Sequence, residues 1–223
     1  MTLAPDPARI VVAIPTLNEE RHIESVLRAL ISQDPRMAGV RVVVADGGST
    51  DRTCEIVRGL ITGFPQLRLV HNPKRLQAAA VNLVAREVAG QADILVRCDA
   101  HAVYPPTYVM DAAASLLRHD VDSVVAPMDA LGETCFGRAN AWVVDTPFGS
   151  GGSAHRGGTA SGFVDHGHHC AFRLARFVSL GGYDESFSHN EDAEYDRRLT
   201  AAGGRIWLDA SVRMGVFARP TLA

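Results

Sequence analysis

A mostly parallel α/β sheet with helices on both faces is the fold this 223-residue chain predicts, and three features of the sequence point to it. Short β-branched runs alternate with stretches of helical period. The β-branched runs are apolar almost throughout, which suits strands buried on both sides. The composition, 47% hydrophobic and 21% charged, belongs to a globular chain and not to a disordered or collagen-like one.

Taken in order, residues 10–14 read as a first strand. Ile23, Val26, Leu27 and Leu30 follow at i, i+3, i+4 and i+7, the spacing of one helix face. Asn18, ahead of Glu19 and Glu20, is expected to cap that helix, with the carboxylates where the macrodipole favours them. Residues 40–45 supply a second strand and complete a βαβ unit. A helix over about 53–61 comes next, capped from Ser49, Thr50 and Asp51, then a strand at 67–71, a helix over about 76–88 and a strand at 94–98. After another strand at 123–127 the pattern loosens.

Residues 149–162 hold six glycines and three serines in fourteen positions and are expected to form a mobile loop. Gly149-Ser150-Gly151-Gly152-Ser153-Ala154 matches the dinucleotide fingerprint in letters alone, since it follows no strand and opens no helix. Order returns over 163–172, in a short helix near 174–180, a helix from about 192 to 202 and a strand at 205–208. With no internal repeat, residues 1–223 read as one domain, with a first half at about 8–101 and a second at about 102–223.

A formal net charge of −3 argues against nucleic acid as a partner, because that binding mode neutralises several phosphates with Lys and Arg. Four cysteines at least 35 residues apart, with no Cys-x-x-Cys, suggest neither a zinc knuckle nor a disulfide scaffold and fit a reducing cytoplasm. No apolar run approaches the ~20 residues that cross a bilayer. Pro5, Asp6 and Pro7 interrupt any signal-peptide core.

In an open parallel sheet, ligands bind beyond the carboxyl ends of the strands, where loops and helix N-termini converge. Asn18 and Glu19 follow the first strand, Asp46 the second, and Asp99 and His101 the fourth, so three loops bring polar groups to one edge. Asp120 and Asp122 precede a strand, fall at the opposite edge and read as solvated. Asp99-Ala100-His101 places two metal-competent side chains where both could reach one divalent ion. Asp192 and Asp196 share a helix face, where like charges repel unless one lies near the helix start or meets a cation. A capped surface helix and a general base are both open there. His166, His168 and Cys170 share a face of an extended segment without a distant partner pair for zinc. Trp142 and Phe148 could stack on a sugar, or Trp142 could belong to the core.

These residues together resemble the inverting family 2 glycosyltransferases of the GT-A fold, a Rossmann-like arrangement, over nearly the whole chain. Val12-Ala13-Ile14-Pro15-Thr16-Leu17-Asn18-Glu19-Glu20 looks like the family's opening strand and loop, and Val44-Ala45-Asp46-Gly47-Gly48-Ser49-Thr50-Asp51 like its second. Asp99-Ala100-His101 stands where the family has its metal-binding Asp-x-Asp. Gly181-Gly182-Tyr183-Asp184-Glu185, followed by Asn190-Glu191-Asp192, looks like the late segment that carries the base. Asn72-Pro73-Lys74-Arg75 and the histidine segment at 166–169 most resemble the succinoglycan-type exopolysaccharide glucosyltransferases.

The resemblance makes 8–101 the nucleotide-binding, donor half and 102–223 the acceptor half, and implies a UDP-sugar donor, its uracil read by Asp46 and by backbone near Pro15 and Thr16. Asn18, Glu19 and Arg75 would stand in the same nucleotide-sugar site. Asp99 would serve ribose or metal, His101 the metal, either Mn²⁺ or Mg²⁺, and the diphosphate. Asp192 would be the base, with Glu191, His168 and His169 on the side of a saccharide or lipid-linked saccharide acceptor. His101 in place of a carboxylate favours the softer Mn²⁺. Relatives continue past residue 220 into a membrane-associated part, which implies peripheral association with the cytoplasmic face of the inner membrane. A sugar nucleotidyltransferase would need a Gly-rich loop with Lys or Arg after the first strand, and Pro15-Thr16-Leu17-Asn18 offers none. A non-catalytic nucleotide-sugar-binding module, or an inactive truncated remnant, is the alternative of a different class.

Overall fold

The computed structural model describes residues 4–132, 134–146, 148–149, 151, 156 and 159–217, without the side chain of His169. The first half alternates as expected: β1 (Ile10–Thr16), α1 (Ile23–Ser32), β2 (Arg41–Asp46), α2 (Thr53–Ile61), β3 (Leu67–His71), α3 (Gln77–Glu87) and β4 (Ile94–Arg97). There follow β5 (Ala102–Val103), α4 (Tyr108–Arg118), β6 (Ser123–Val125), β7 (Met128–Leu131) and α5 (Cys135–Val144). The chain continues through β8 (Gly162–Phe163), β9 (His169–Arg173), α6 (Leu174–Ser179), α7 (Glu191–Ala201), β10 (Ile206–Leu208) and β11 (Met214–Phe217).

Eight strands form the main sheet in the order β3-β2-β1-β4-β9-β6-β10-β8. β1, β2, β3 and β4 pair in parallel, as do β6 and β10. β9 lies antiparallel between β4 and β6, and β8 antiparallel on the far edge. The sheet is therefore mostly parallel, with one late strand inserted against its grain. A smaller sheet, β5-β11-β7, closes one end.

Alternation along β1 builds the two cores. Ile10, Val12 and Ile14 pack with α1, α2 and α4, while Val11 and Ala13 face α3, α6 and α7. Ala13 and Ala45 on that second face meet Ala78, Ala80 and Ala85 of α3, so this helix approaches the sheet closely. β1, β2 and β4 are buried on both faces, which is why their sequences read as apolar runs.

Several expectations change. Asn18 does not cap α1, which begins after His22. It adopts φ +57 and bridges two loops instead, its Oδ1 accepting from Thr50 N at 2.8 Å while its own N–H donates to Ser49 Oγ. α4 was not among the expected elements, although Tyr108, Val109, Ala112, Ala113 and Leu116 form a helical stripe. Residues 163–172 divide into β8 and β9 with a histidine-bearing loop between them. α5 buries only Gly137 and Ala141 among its described residues, and Trp142 is 73% exposed, so Trp142 is not core. Of the expected mobile loop at 149–162, residues 150, 152–155 and 157–158 lie outside the described residues, and Arg156 bridges to Met128. No helix among the described residues is long and apolar enough to cross a membrane.

Candidate active site

At the carboxyl edge of β1, β2 and β4 an open cleft of about 590 Å³ is lined by Pro15, Thr16, Glu19, Gly47, Arg75, Asp99 and His101, among others. Its floor is organised by backbone. Gly47 N donates to Thr16 O at 2.8 Å, and a Cβ on Gly47 would stand 3.3 Å from Arg75 Cα, so the three loops meet where a side chain would crowd them. Arg75 itself sits at φ +59. Left-handed backbone at a non-glycine residue costs on the order of 1–3 kcal/mol, and such strain clusters at functional sites.

Asp46 does not line this cleft. Its carboxylate turns into its own loop and accepts from Gly48 N at 2.8 Å, Ser49 N at 3.0 Å and Ser49 Oγ at 2.5 Å. Burial opposes its ionisation, and these donors outweigh burial, so it titrates below the usual carboxylate range. Asp46 thus shapes its own loop and lines an adjoining cleft with Cys54, Arg58 and His71, while Gly47 presents the surface of the first.

Asp99 and His101 do converge on the cleft. Glu19 Oε1 lies 2.9 Å from His101 Nδ1, and a carboxylate can only accept, so Nδ1 carries the proton and Nε2 is left to face a ligand. Hydrogen bonding to Glu19 raises the His101 pKa against the effect of burial. Asp99 Oδ2 lies 3.5 Å from His168 Nε2, and Oδ1 lies 3.5 Å from Arg97 Nε. Burial disfavours the Asp99 anion, but Arg97, His168 and His101 together hold its pKa below the ordinary value. Asp99 and His101 offer the cleft a carboxylate and an imidazole oriented through its other nitrogen by Glu19, two donors of the kind a divalent ion takes, but among the described residues no three His, Cys, Asp or Glu side chains are grouped to hold a metal ion by themselves.

The late segment reaches the same edge through α7. Asn190, at φ +60, starts the helix, and Glu191, Asp192 and Glu194 lie in its first turn. Glu191, expected toward the acceptor, instead turns inward: it is 7% exposed and its Oε1 accepts from Arg97 Nη1 at 3.3 Å. His168, expected on the acceptor side too, joins Asp99, and the His169 side chain lies outside the described residues. Asp192 is half-buried at the helix start, with Oδ1 accepting from Ala193 N. Asp196 is buried and accepts from Gly167 N, with His166 Nδ1 2.8 Å away, so it pins the histidine loop to α7. Cys170 donates to Val124 O on the other side, which separates it from His166 and ends the zinc reading. Asp120 and Asp122 hold Arg173 and Arg205 at the opposite edge, as structural groups.

Arg97 is the functional candidate that patterning does not single out. The available signal was an arginine closing an otherwise apolar strand directly ahead of Asp99. Asn82 is a second: its amide clamps Tyr183 N and O at 2.9 and 2.8 Å, holding the Gly181-Gly182-Tyr183 turn on α3.

Comparison with known proteins bears on the family and the fold. The model of glycosyl transferase family 2 matches residues 11–180. Succinoglycan biosynthesis protein ExoA of Rhizobium meliloti (strain 1021) is 45% identical over 212 residues, covering 95% of this chain and 64% of that protein. The chain thus spans a little under two thirds of that relative's length. Mannosyltransferase PcManGT from Pyrobaculum calidifontis, solved with GDP-Man and Mn²⁺, superposes with TM-score 0.68 at 26% identity, covering 96% of this chain and 59% of that one. GalNAc-T7, solved with UDP, GalNAc and Mn²⁺, gives TM-score 0.72 at 16% identity over 94% of this chain and 44% of its own, a likeness of fold. The fold is GT-A.

Proposed function

The chain belongs to glycosyl transferase family 2, and from that premise we propose that it transfers a hexose, glucose by its likeness to the succinoglycan protein, from a UDP-sugar to a saccharide or lipid-linked saccharide acceptor in exopolysaccharide biosynthesis. The observation that carries this reading is the reach of one guanidinium: Arg97 touches the cleft carboxylate Asp99 and, at the same time, Glu191 in the first turn of the helix that presents Asp192. The first turn of α7 is thereby tied to a carboxylate that lines the cleft, which supports the reading.

Asp99 and His101 would hold Mn²⁺ or Mg²⁺, which when bound supplies charge stabilisation to a departing diphosphate. Arg75 and the backbone of Thr16 and Gly47 hold the nucleotide. Asp192 takes the proton of the acceptor hydroxyl as its oxygen attacks the anomeric carbon from the face opposite the leaving group, which inverts that centre. Glu191 is unsuited to this step, because its carboxylate is committed to Arg97 in the interior. Peripheral association with the cytoplasmic face of the inner membrane, through a part beyond these residues, belongs to the same proposal.

Calorimetry with UDP, with Mn²⁺ and with chelator, tests the donor site. Metal should tighten UDP binding, and Asp99→Ala or His101→Ala should abolish most of that gain. Equal affinity with and without metal would refute the metal site. Turnover of UDP-glucose, UDP-galactose and GDP-mannose identifies the donor.

A further inference from the structure

Arg97 ends β4, whose other three side chains are apolar, and it is itself only 5% exposed. It stands in register with Ala13 of β1 and shares the α3 face with Leu95, and the small alanine leaves room for a guanidinium. A buried cation here is costly, and a hydrocarbon side chain of similar length would fill the space without that cost. Glu191, the first residue of α7, reaches Arg97 from a distant part of the chain, so a cation with almost no solvent contact joins β4 to the start of that helix.

Two carboxylates and a phenol offset this. Asp99 Oδ1 lies 3.5 Å from Nε, Glu191 Oε1 lies 3.3 Å from Nη1, and Tyr183 Oη accepts from Nη1 at 3.3 Å with its ring 5.8 Å from the guanidinium carbon. Arg97 stays charged, these neighbours outweighing the effect of burial. The two carboxylates differ in what else holds them. Asp99 also has His168 and follows a strand directly, whereas Glu191 is held by Arg97 in the first turn of a helix that starts from a strained Asn190.

We propose that Arg97 is a positioning residue, fixing the base-bearing first turn of α7 at a set distance from Asp99 by holding Glu191. It acts through Glu191 and Asp99, and the proposal rests on the assignment of Asp192 as base. The spacing matters because a displacement of about 1 Å in a reacting group costs on the order of 10²-fold in rate. Guanidinium geometry suits this role, because its planar fork addresses two carboxylates at once, which an ammonium does not.

Arg97→Met, Arg97→Lys, Glu191→Gln and the Arg97→Met/Glu191→Gln double variant test it. With the nucleotide sugar that the parent turns over, Arg97→Met should lower kcat about 100-fold while donor KM stays within about twofold. Arg97→Lys should recover part of the loss. The double variant should be no worse than Arg97→Met, since both changes cut one link. An unchanged kcat, a rise in KM alone, or losses that multiply in the double variant would overturn the proposal. If Arg97→Met fails to fold cooperatively in urea, Arg97→Lys and Arg97→Gln carry the same kcat-against-KM comparison. A crystal structure of the variant supplies a readout independent of activity: the first turn of α7 should shift relative to Asp99, and an unmoved turn would refute the role. A parent that turns over no nucleotide sugar would sink the functional assignment, while the crystal structure would still decide the role of Arg97.

Discussion

In the half expected to bind the donor, at about 8–101, the carboxylates of Asp46 and Asp51 draw on donors of their own turns, whereas in the half expected to meet the acceptor several polar groups find partners far along the chain. Asp46 is held by Gly48 and Ser49, and Asp51 by Thr53. In the other half Asp209 accepts from Ser115, Arg213 pairs with Asp129, and Tyr183 is clamped by Asn82. Loops of the first kind shape themselves as soon as their strand and helix exist, so they can present backbone to a ligand with little outside help. Loops of the second kind acquire their shape only when the whole sheet has assembled, which makes the base-bearing segment dependent on distant side chains.

The largest test of this contrast is Asp192→Asn. Asn keeps the shape of Asp and the ability to cap but cannot take a proton, so turnover should fall about 10²–10⁴-fold while UDP affinity in the self-shaped donor half is unchanged. Transfer at the parent rate would make Asp192 a helix cap and nothing more.

Next in size is a pair of glycines in the acceptor half. Gly182 is at φ +71, and a Cβ there would stand 2.2 Å from Asn82 Oδ1. Gly203 is at φ +76 with open space around it. Gly203→Ala should cost only the left-handed backbone penalty, about 1–2 kcal/mol. Gly182→Ala should cost that plus the loss of the Asn82 clamp, a further 1–3 kcal/mol or so from orphaned polar groups. Urea unfolding of both variants decides it, and equal losses would mean that the clamp carries no weight.

Acid titration sharpens the comparison further. Asp46 and Asp209 are each buried, and in each the donors outweigh burial and lower the pKa. A depressed pKa contributes stability that is present above the unfolded carboxylate value, near 3.9, and is lost as pH falls through the folded one. Asp46→Asn and Asp209→Asn should therefore lower the melting temperature at pH 7 and flatten its fall below about pH 4. Asp209→Asn should cost more at pH 7, because Ser115 ties it to α4, whereas Asp46 disturbs only its own turn. Steeper acid sensitivity in either variant would contradict the sign.

The smallest effect belongs to a link between the halves. Lys74 Nζ lies 2.5 Å from Glu185, but the lysine side chain is 63% exposed. Lys74→Ala should change stability by about 0.5 kcal/mol or less, and a loss of several times that in urea unfolding would mean that this surface pair, like Arg97, joins the two halves.

The sequence by itself determined the donor half almost completely. The strand at 67–71 and the helix at 53–61 stand where their patterns put them, because two-sided burial writes an apolar strand and one-sided burial writes a helical stripe. The edge of the sheet that gathers Glu19, Asp99 and His101 follows from chain order alone, since every parallel strand ends on the same side. Tertiary structure decided the rest. β9 enters antiparallel between β4 and β6, and no local pattern encodes partners 75–79 and 44–49 residues away. α5 carries its large apolar groups outward, so its helical period says nothing about a core. Which way Asp46 and Glu191 point was likewise beyond the reach of spacing. The first is turned by donors two and three residues on, the second by a guanidinium 94 residues earlier, and a carboxylate goes to the donors that replace its water once the fold has closed around it.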